Sequence, residues 1–449
     1  MSGPATPSRT WPEPVHVISV ARFGGPQVLT PASAPDPVAG AGEVVIAGGA
    51  SDVMFVDTMI RSGRGVGFFP IRPPYVPGGG IGGEVISVGD GVDPGWLGRP
   101  VIAHTGGPGG GGGYAERAAV SLEDTVAVPD GLDPLLALAI VHDGPTALRV
   151  ARLVDASPGE QVLILGAAGG MGILLVQLLR ARGARVIGAA RGKAKTDAVA
   201  AAGADAVIDY GQPDWTSLVL DATGGTGPAV VLDGVGGQLG LDAYRIIADG
   251  GRFSAHGAPG GGFAAIDTDD AAGRKVTVTG LGDLQVRPGE RADLARQLLP
   301  DVASGRVRPL IGQTFPLAEA ARAHALLEAR GAIAKTLLTS VLFAFGLVIG
   351  LVLVEVEAER VPRRVVKHPH VFLRLELGHG GAALDGVGDA GREVVDRDVD
   401  VHHHPLAAFR GRPDRRSVPG RFVEAQVGRG AGDLDGGTVR LPHRHRPAE

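Results

Sequence analysis

A chain of 449 residues has room for two or three domains, and 44% hydrophobic with 20% charged residues is ordinary globular composition. The formal net charge of -5 gives no basic footprint for nucleic acid, and the absence of cysteine excludes disulfides, a thiolate nucleophile and sulfur ligands for zinc. The first residues carry Pro4, Pro7, Pro12 and Pro14 and no long apolar run, so no secretory signal is expected and the location is expected to be cytoplasmic.

Residues 1–14 read as a flexible leader. Strand pattern begins at Val15 and turns at Arg22-Phe23-Gly24-Gly25-Pro26, and a second strand is expected over residues 42–47. Residues 51–62 suit a short helix or turn. The loop from Tyr75 runs into a strand that ends near Gly89, residues 101–103 form another, and Gly109 to Gly113 make an exposed turn before Tyr114. Short strands between Gly/Pro turns predict a β domain that ends at Pro129-Asp130-Gly131. Residues 135–154 then read as one helix.

Residues 161–165 are a short apolar run of strand type. Gly166, Gly169 and Gly172 come next at intervals of three, and Ile173, Leu174, Val176, Leu178 and Leu179 read as a largely buried helix that stops at Gly183. Strand, glycine turn and helix together give the spacing a meaning. The glycines allow a tight turn and a close backbone approach, and the helix N-terminus offers N–H groups and partial positive charge to a pyrophosphate. The alternation continues with strands at 185–190, 206–210, 230–237, 251–257 and 275–280, and helices at 193–202 and about 239–247. Six strands with helical crossovers predict an α/β fold with a parallel, doubly wound sheet. A helix at 294–304, a strand at 310–315, a helix at 317–330 and a closing strand at 335–338 complete this part.

The end of the second strand of such a sheet distinguishes the two dinucleotides. An NAD site places Asp or Glu there for the ribose 2′-OH. Here the strand ends Ala189-Ala190-Arg191, with no carboxylate, and Arg191, Lys193 and Lys195 offer cations to a 2′-phosphate. NADPH is therefore the expected cofactor.

The order of motifs over residues 15–339 resembles the medium-chain dehydrogenase/reductase superfamily, in the zinc-independent NADPH:quinone oxidoreductase (zeta-crystallin-like) branch. The resemblance is carried by Arg22-Phe23-Gly24-Gly25-Pro26, Val56-Asp57-Thr58-Met59-Ile60-Arg61-Ser62-Gly63, Gly113-Tyr114-Ala115-Glu116 and the glycine turn. It continues through Ala202-Gly203-Ala204-Asp205, Asp209-Tyr210, Asp233-Gly234-Val235-Gly236-Gly237 and Ala334-Lys335-Thr336-Leu337-Leu338. It implies a GroES-like β domain built from residues 15–130 and 286–340, with a Rossmann NADP-binding domain inserted at 131–285. The cleft between them would hold nicotinamide and substrate. A homodimer, formed through the edge at Lys275-Val276-Thr277-Val278, is also implied.

Carried over by position, Gly166, Ala168, Gly169, Gly170, Met171 and Gly172 would border the pyrophosphate, and Arg191, Lys195 and Tyr210 the 2′-phosphate. Thr146 would lie at the carboxamide end of the nicotinamide, Val235 and Gly257 along the cofactor, and Lys335 near it. Zinc-dependent relatives use Cys and a Gly-His-Glu segment, which here reads Gly78-Gly79-Gly80, so no metal is expected. Without a Lewis acid the acceptor should already be electrophilic: a quinone, or an alkene conjugated to a carbonyl. No acid–base pair is legible. His142, Thr146 and His256 are the candidate polar groups of the cleft. Two departures from the family pattern, Met54 before Phe55 and Met59 in place of an aromatic residue, make the pocket more apolar. The alternative is an NADPH-binding protein without turnover.

Residues 341–449 match nothing in that family and are expected to be irregular. Residues 337–354 are apolar enough to suggest a membrane span, but the first of them belong to the closing strand. The chain beyond residue 354 is rich in Arg, Gly and Val, and His402-His403-His404 has no partner cluster. A read-through or mis-framed translation of GC-rich DNA would have this composition, and the competing readings are a disordered functional tail and a membrane anchor.

Overall fold

The computed structural model describes residues 14–65, 67–106, 112–284 and 289–340. The chain separates into two units, residues 1–362 and 363–449, and every described residue falls in the first. The leader up to residue 13, the glycines at 109–111 and the whole tail, with its apolar run and His402-His403-His404, lie outside the described residues. No helix among the described residues is long and apolar enough to cross a membrane.

The β layer opens with β1 (Val15–Val20) and β2 (Leu29–Ala34), an antiparallel pair. The second of these has no signature in the sequence, because its Thr30, Pro31 and Ser33 give no apolar alternation; Pro31 is tolerated since the pair has no further strand beside it. A second sheet is built on β3 (Glu43–Val53), which extends past the expected end at residue 47 through an irregularity at Ala47/Ala50. After β3 comes the helix α1 (Phe55–Arg61), then the strands β4 (Gly80–Val88), β5 (Pro100–His104), β6 (Arg117–Ser121) and β7 (Thr125–Ala127).

The expected helix at 135–154 is two helices, α2 (Pro134–Leu138) and α3 (Asp143–Leu153). Pro145 explains the break. It has no N–H to give to a preceding turn, but it fits the first turn of a new helix, where N–H groups have no intrahelical partner. The restart leaves His142 as the N-cap of α3.

The alternating region agrees with expectation: β8 (Gln161–Leu165), α4 (Gly170–Ala181), β9 (Arg185–Ala190), α5 (Lys193–Ala201), β10 (Ala206–Asp209), α6 (Trp215–Ala222), β11 (Val230–Asp233), α7 (Gly237–Arg245), β12 (Arg252–Ala255), α8 (Thr268–Gly273) and β13 (Thr277–Thr279). The helices α6 and α8 are additions to the expected set; α6 buries Trp215 and Val219. All pairings are parallel, in the order β10-β9-β8-β11-β12-β13. Val162, Leu163, Ile164 and Leu165 of the central strand are all buried, which is why that strand reads as a continuous apolar run and not as an alternation. The strand order reverses between β8 and β11, and a crevice at the carboxyl ends of such strands is the usual ligand site.

The chain then returns to the β layer. The helix α9 (Glu290–Ala303) leads to β14 (Ile311–Pro316), α10 (Ala320–Glu328) and β15 (Lys335–Thr339). In that sheet the order is β14-β15-β3-β4-β5-β7, with β6 also on β3. The pair β14/β15 is parallel and β15 runs antiparallel to β3, so the last strand is sewn directly onto the strand that leads to α1.

Candidate dinucleotide and active site

The glycine turn closes β8 and opens α4. Gly166 has φ +69°, a left-handed conformation that glycine adopts without steric cost. A Cβ at Gly172 would lie 2.5 Å from the Gly166 carbonyl oxygen, so the first turn of α4 packs on the strand end only without a side chain there. Gly169 is the N-cap of α4 and makes no side-chain cap, so the leading N–H groups of that helix lack a side-chain acceptor at the cap. The Ala334 N–H donates to the Ala168 carbonyl at 2.7 Å, which ties this turn to the start of β15. Val235 packs against Gly166, and the backbones of Gly257 and Gly234 are in close contact, so the ends of β8, β11 and β12 form one continuous rim. Met171 packs partly buried against the core on the inner side of the turn.

At the end of β9, a second group of expected residues comes together. The Arg191 guanidinium lies 5.8 Å from the centre of the Tyr210 ring, within cation–π range. Lys195 Nζ donates to the carbonyl of Arg330 at 2.6 Å, which brings in a cation that the sequence does not suggest. Arg330 itself has φ +59°, and its guanidinium lies 4.4 Å over the Phe55 ring and donates to the Pro259 carbonyl. Burial, with Arg330 and Arg191 nearby, pushes the Lys195 ammonium below its usual range, and burial, with Arg191 and Arg64 nearby, does the same for Arg330. Three cations held this close favour an anion among them. The acid of this corner, Asp209, accepts from the N–H groups of Gly192 and Gly211 at 3.0 and 2.8 Å and so braces the loop that carries Arg191.

A third cluster lies where β3, α3 and β15 meet. Lys335 is buried, with Nζ 2.7 Å from Asp52 Oδ2 and 3.1 Å from Asp143 Oδ2. Two carboxylates hold its ammonium above the usual lysine range against the cost of burial. Lys335 is beside the cofactor turn, since a Cβ at Gly170 would collide with the Asp143 carboxylate, but its charge is already neutralised by the protein. Asp52 Oδ2 also accepts from His142 Nδ1 at 2.9 Å. Despite burial, His142 and Lys335 keep the Asp52 carboxyl well below the usual range, so it is ionised and Nδ1 of His142 carries the hydrogen. Thr146 sits one turn along α3 and donates its hydroxyl hydrogen to the His142 carbonyl at 3.0 Å, leaving only lone pairs to offer a ligand. His256 is half-buried beside Ser254, Nδ1 to Oγ 3.3 Å, and burial lowers its pKa to about 4.

The Asp52–His142 pair has no signal in the sequence, because its members are 90 positions apart and neither belongs to a motif. Arg330 is equally silent, in a loop after α10.

Residues 40–130 match the alcohol dehydrogenase GroES-like domain, and residues 202–338 match the zinc-binding dehydrogenase family. A zinc ion does not fit the donor set: among the described residues no three His, Cys, Asp or Glu side chains converge to hold a metal. A quinone oxidoreductase from Pseudomonas aeruginosa is 32% identical over 329 residues, 72% of this chain and 98% of the relative. A 2-haloacrylate reductase from a Burkholderia species is 28% identical over 67% of this chain and 91% of its own. A mycobacterial protein solved as a complex with NADPH superposes with TM-score 0.66 at 32% identity, covering 72% of this chain and 99% of that one. The doubly wound sheet, the glycine turn at its switch point and these likenesses together show that the chain belongs to the quinone oxidoreductase family of the medium-chain dehydrogenase/reductases.

Proposed function

We propose that the protein is an NADPH-dependent oxidoreductase that reduces a quinone or an α,β-unsaturated carbonyl compound without zinc. The observation that carries the cofactor is the cation group Arg191, Lys195 and Arg330 around Tyr210, at the end of the strand next to the glycine turn. A 2′-phosphate is an anion of the right kind for that corner, and NADH has none to offer. The mycobacterial neighbour, solved with NADPH, supports the same reading.

NADPH supplies a hydride, and the chain supplies its binding and orientation. Gly166, Ala168, Gly169, Gly170, Met171 and Gly172 would border the pyrophosphate at the N-terminus of α4, whose first N–H groups lack a side-chain cap. Val235 and Gly257 line the cofactor along the rim of β11 and β12, and Thr146 accepts from the carboxamide end. Lys335 acts at one remove, by fixing Asp143 against Gly170. Met54 and Met59 leave the acceptor pocket apolar, which suits a quinone ring or an enone. The 2-haloacrylate reductase among the relatives bears the name of a conjugated alkene substrate and supports the second acceptor class.

The protein is cytoplasmic in this reading and a homodimer through the edge strand β13, whose Val278 is 41% exposed. Light scattering of the purified chain tests the dimer. Following the loss of NADPH absorbance with a panel of quinones and enones, with NADH in parallel, tests the function. Turnover with NADPH preferred supports it; NADPH binding with no acceptor reduced would favour a binding protein without turnover.

A further inference from the structure

Resting on the oxidoreductase reading above, we propose that His142 is the proton donor to the acceptor's carbonyl oxygen, and that Asp52 and Lys335 are the residues that position it.

His142 is 5% exposed, and its ring is fixed on one side only. Nδ1 donates to Asp52, while Nε2 is buried with no hydrogen-bond partner among the described residues. A buried imidazole nitrogen left unpartnered is costly, so a second partner is expected when the site is filled. Nε2 points at a place where the chain has no side chain. A Cβ at Gly79 would lie 2.9 Å from Nε2 and 3.2 Å from the Met54 methyl. Met54 belongs to the segment that leads into α1, where the acceptor pocket is expected to open. Nε2 and the Met54 methyl therefore close directly over the bare backbone of Gly79, one polar atom beside one apolar group, which matches the two ends of a conjugated carbonyl: oxygen against Nε2 and carbon against Met54.

The same cluster reaches the cofactor. Lys335 joins Asp52 to Asp143, and Asp143 lies against Gly170 in the glycine turn. The ion group thus sets His142 at a fixed distance from the dinucleotide. Because Nδ1–H is committed to an ionised Asp52, the second proton of the imidazolium can reside only on Nε2.

Atoms and electrons balance in this step. As hydride is delivered to the β-carbon of the enone, a C–H bond forms there and the C=C pair shifts to the bond between the α-carbon and the carbonyl carbon. The C=O pair moves to oxygen and takes the proton from Nε2, leaving an enol and neutral His142. The enol tautomerises to the ketone, and His142 regains a proton from solvent. The acceptor gains two electrons and NADPH loses two. For a quinone the same donor protonates the quinol oxygen, but a quinone is more electrophilic and depends on it less.

The test uses the full chain and the variants His142→Phe, His142→Gln and Asp52→Asn, with an enone and a quinone as probes. NADPH affinity is read separately by fluorescence. Loss of the donor should lower kcat for the enone about 100-fold in both His142 variants, with a smaller loss for the quinone and NADPH affinity retained. The solvent isotope effect on kcat should disappear with His142. Asp52→Asn should lower kcat for the enone by less than the His142 variants do and shrink the solvent isotope effect, since the ring loses the carboxylate that orients it. The charged and titratable groups facing the ring are Asp52 from β3, Lys335 from β15, Asp143 from α3 and His104 from β5, whose ring is 4.7 Å away, with Asp57 and Arg291 beyond. Among the described residues only Asp52 touches Nδ1, so its variant should disturb the orientation of the ring most. An unchanged kcat in both His142 variants overturns the proposal, and so does a parallel fall in kcat and NADPH affinity, which would mark His142 as structural. A wild-type chain that reduces no acceptor would instead overturn the oxidoreductase reading, and this proposal with it.

Discussion

Arg330 shows how much of the cofactor corner depends on single side chains. It approaches Lys195 through its carbonyl and covers Phe55 with its guanidinium, so it joins the corner proposed for the 2′-phosphate to the segment proposed to open the acceptor pocket. A charge-assisted hydrogen bond from a guanidinium to a bound phosphate contributes about 1.5–3 kcal/mol. Arg330→Ala and Arg191→Ala are each expected to raise the KM for NADPH by about 10- to 100-fold, while the KM for NADH stays nearly level. Steady-state kinetics with both cofactors checks this, and an equal loss with NADH would place the arginines elsewhere. The glycine turn, Arg191 and Lys195 can be proposed from the sequence because strand ends and turn residues occupy fixed places in a doubly wound sheet, and Tyr210 enters through the family resemblance. Arg330 is not, since no periodicity says that the loop after α10 folds back to β9. The Asp52–His142 contact is hidden for the same reason: long-range pairing leaves no trace in a single sequence.

At the scale of elements, β15 depends on more than its backbone ladder. Lys335, its first residue, is the only described cation within salt-bridge distance of both Asp52 on β3 and Asp143 on α3. Removing one partner of a buried ion group leaves charge uncompensated, at a cost of about 3–5 kcal/mol; here Asp143 loses its cation while Asp52 keeps only His142. Lys335→Met is thus expected to lower the unfolding free energy by about that amount and to loosen NADPH binding through Asp143. Urea denaturation measures the first and fluorescence titration the second. A variant as stable as the parent would mean that the carboxylates take up protons at little cost. The alternating strands and helices lie nearly where the sequence places them, because the buried run of β8 and the apolar face of α4 are patterns of local origin. The split between α2 and α3 is harder to read. The apolar spacing of residues 135–154 continues across the break, and only Pro145 records it.

Across the whole molecule, buried histidines decide the response to acid. Burial lowers the pKa of His104 to about 3, of His324 to about 3 and of His256 to about 4. Each binds a proton more readily unfolded than folded, so its contribution is fully present above the unfolded pKa of 6.5 and is lost as pH falls toward the folded value. The loss is about 1.4 kcal/mol per pH unit for each group. Asp57 opposes them: burial raises its pKa to about 6, so it stabilises the fold as pH falls from about 6 toward 3.8. Burial raises the Asp124 and Asp233 carboxyls as well, and they act with Asp57 at lower pH; the histidines lead just below pH 6.5, so the denaturation midpoint is expected to drop as pH falls through that range. A midpoint that is flat between pH 6.5 and 4.5 would contradict the burial of these rings. The tail enters at the same scale. The β layer closes at Ser340, which is buried and whose N–H donates to the Gly49 carbonyl at 3.0 Å. The zinc-binding dehydrogenase match ends at residue 338, and the Pseudomonas aeruginosa relative is covered over 98% of its length by only 72% of this chain. A chain ending at Ser340 therefore retains every described strand of the three sheets and every residue proposed for the site. It is expected to keep the unfolding midpoint and kcat/KM of the full chain within about twofold, as changes away from packed contacts do. A loss of fold or turnover on truncation would show that residues 341–449 contribute to the enzyme.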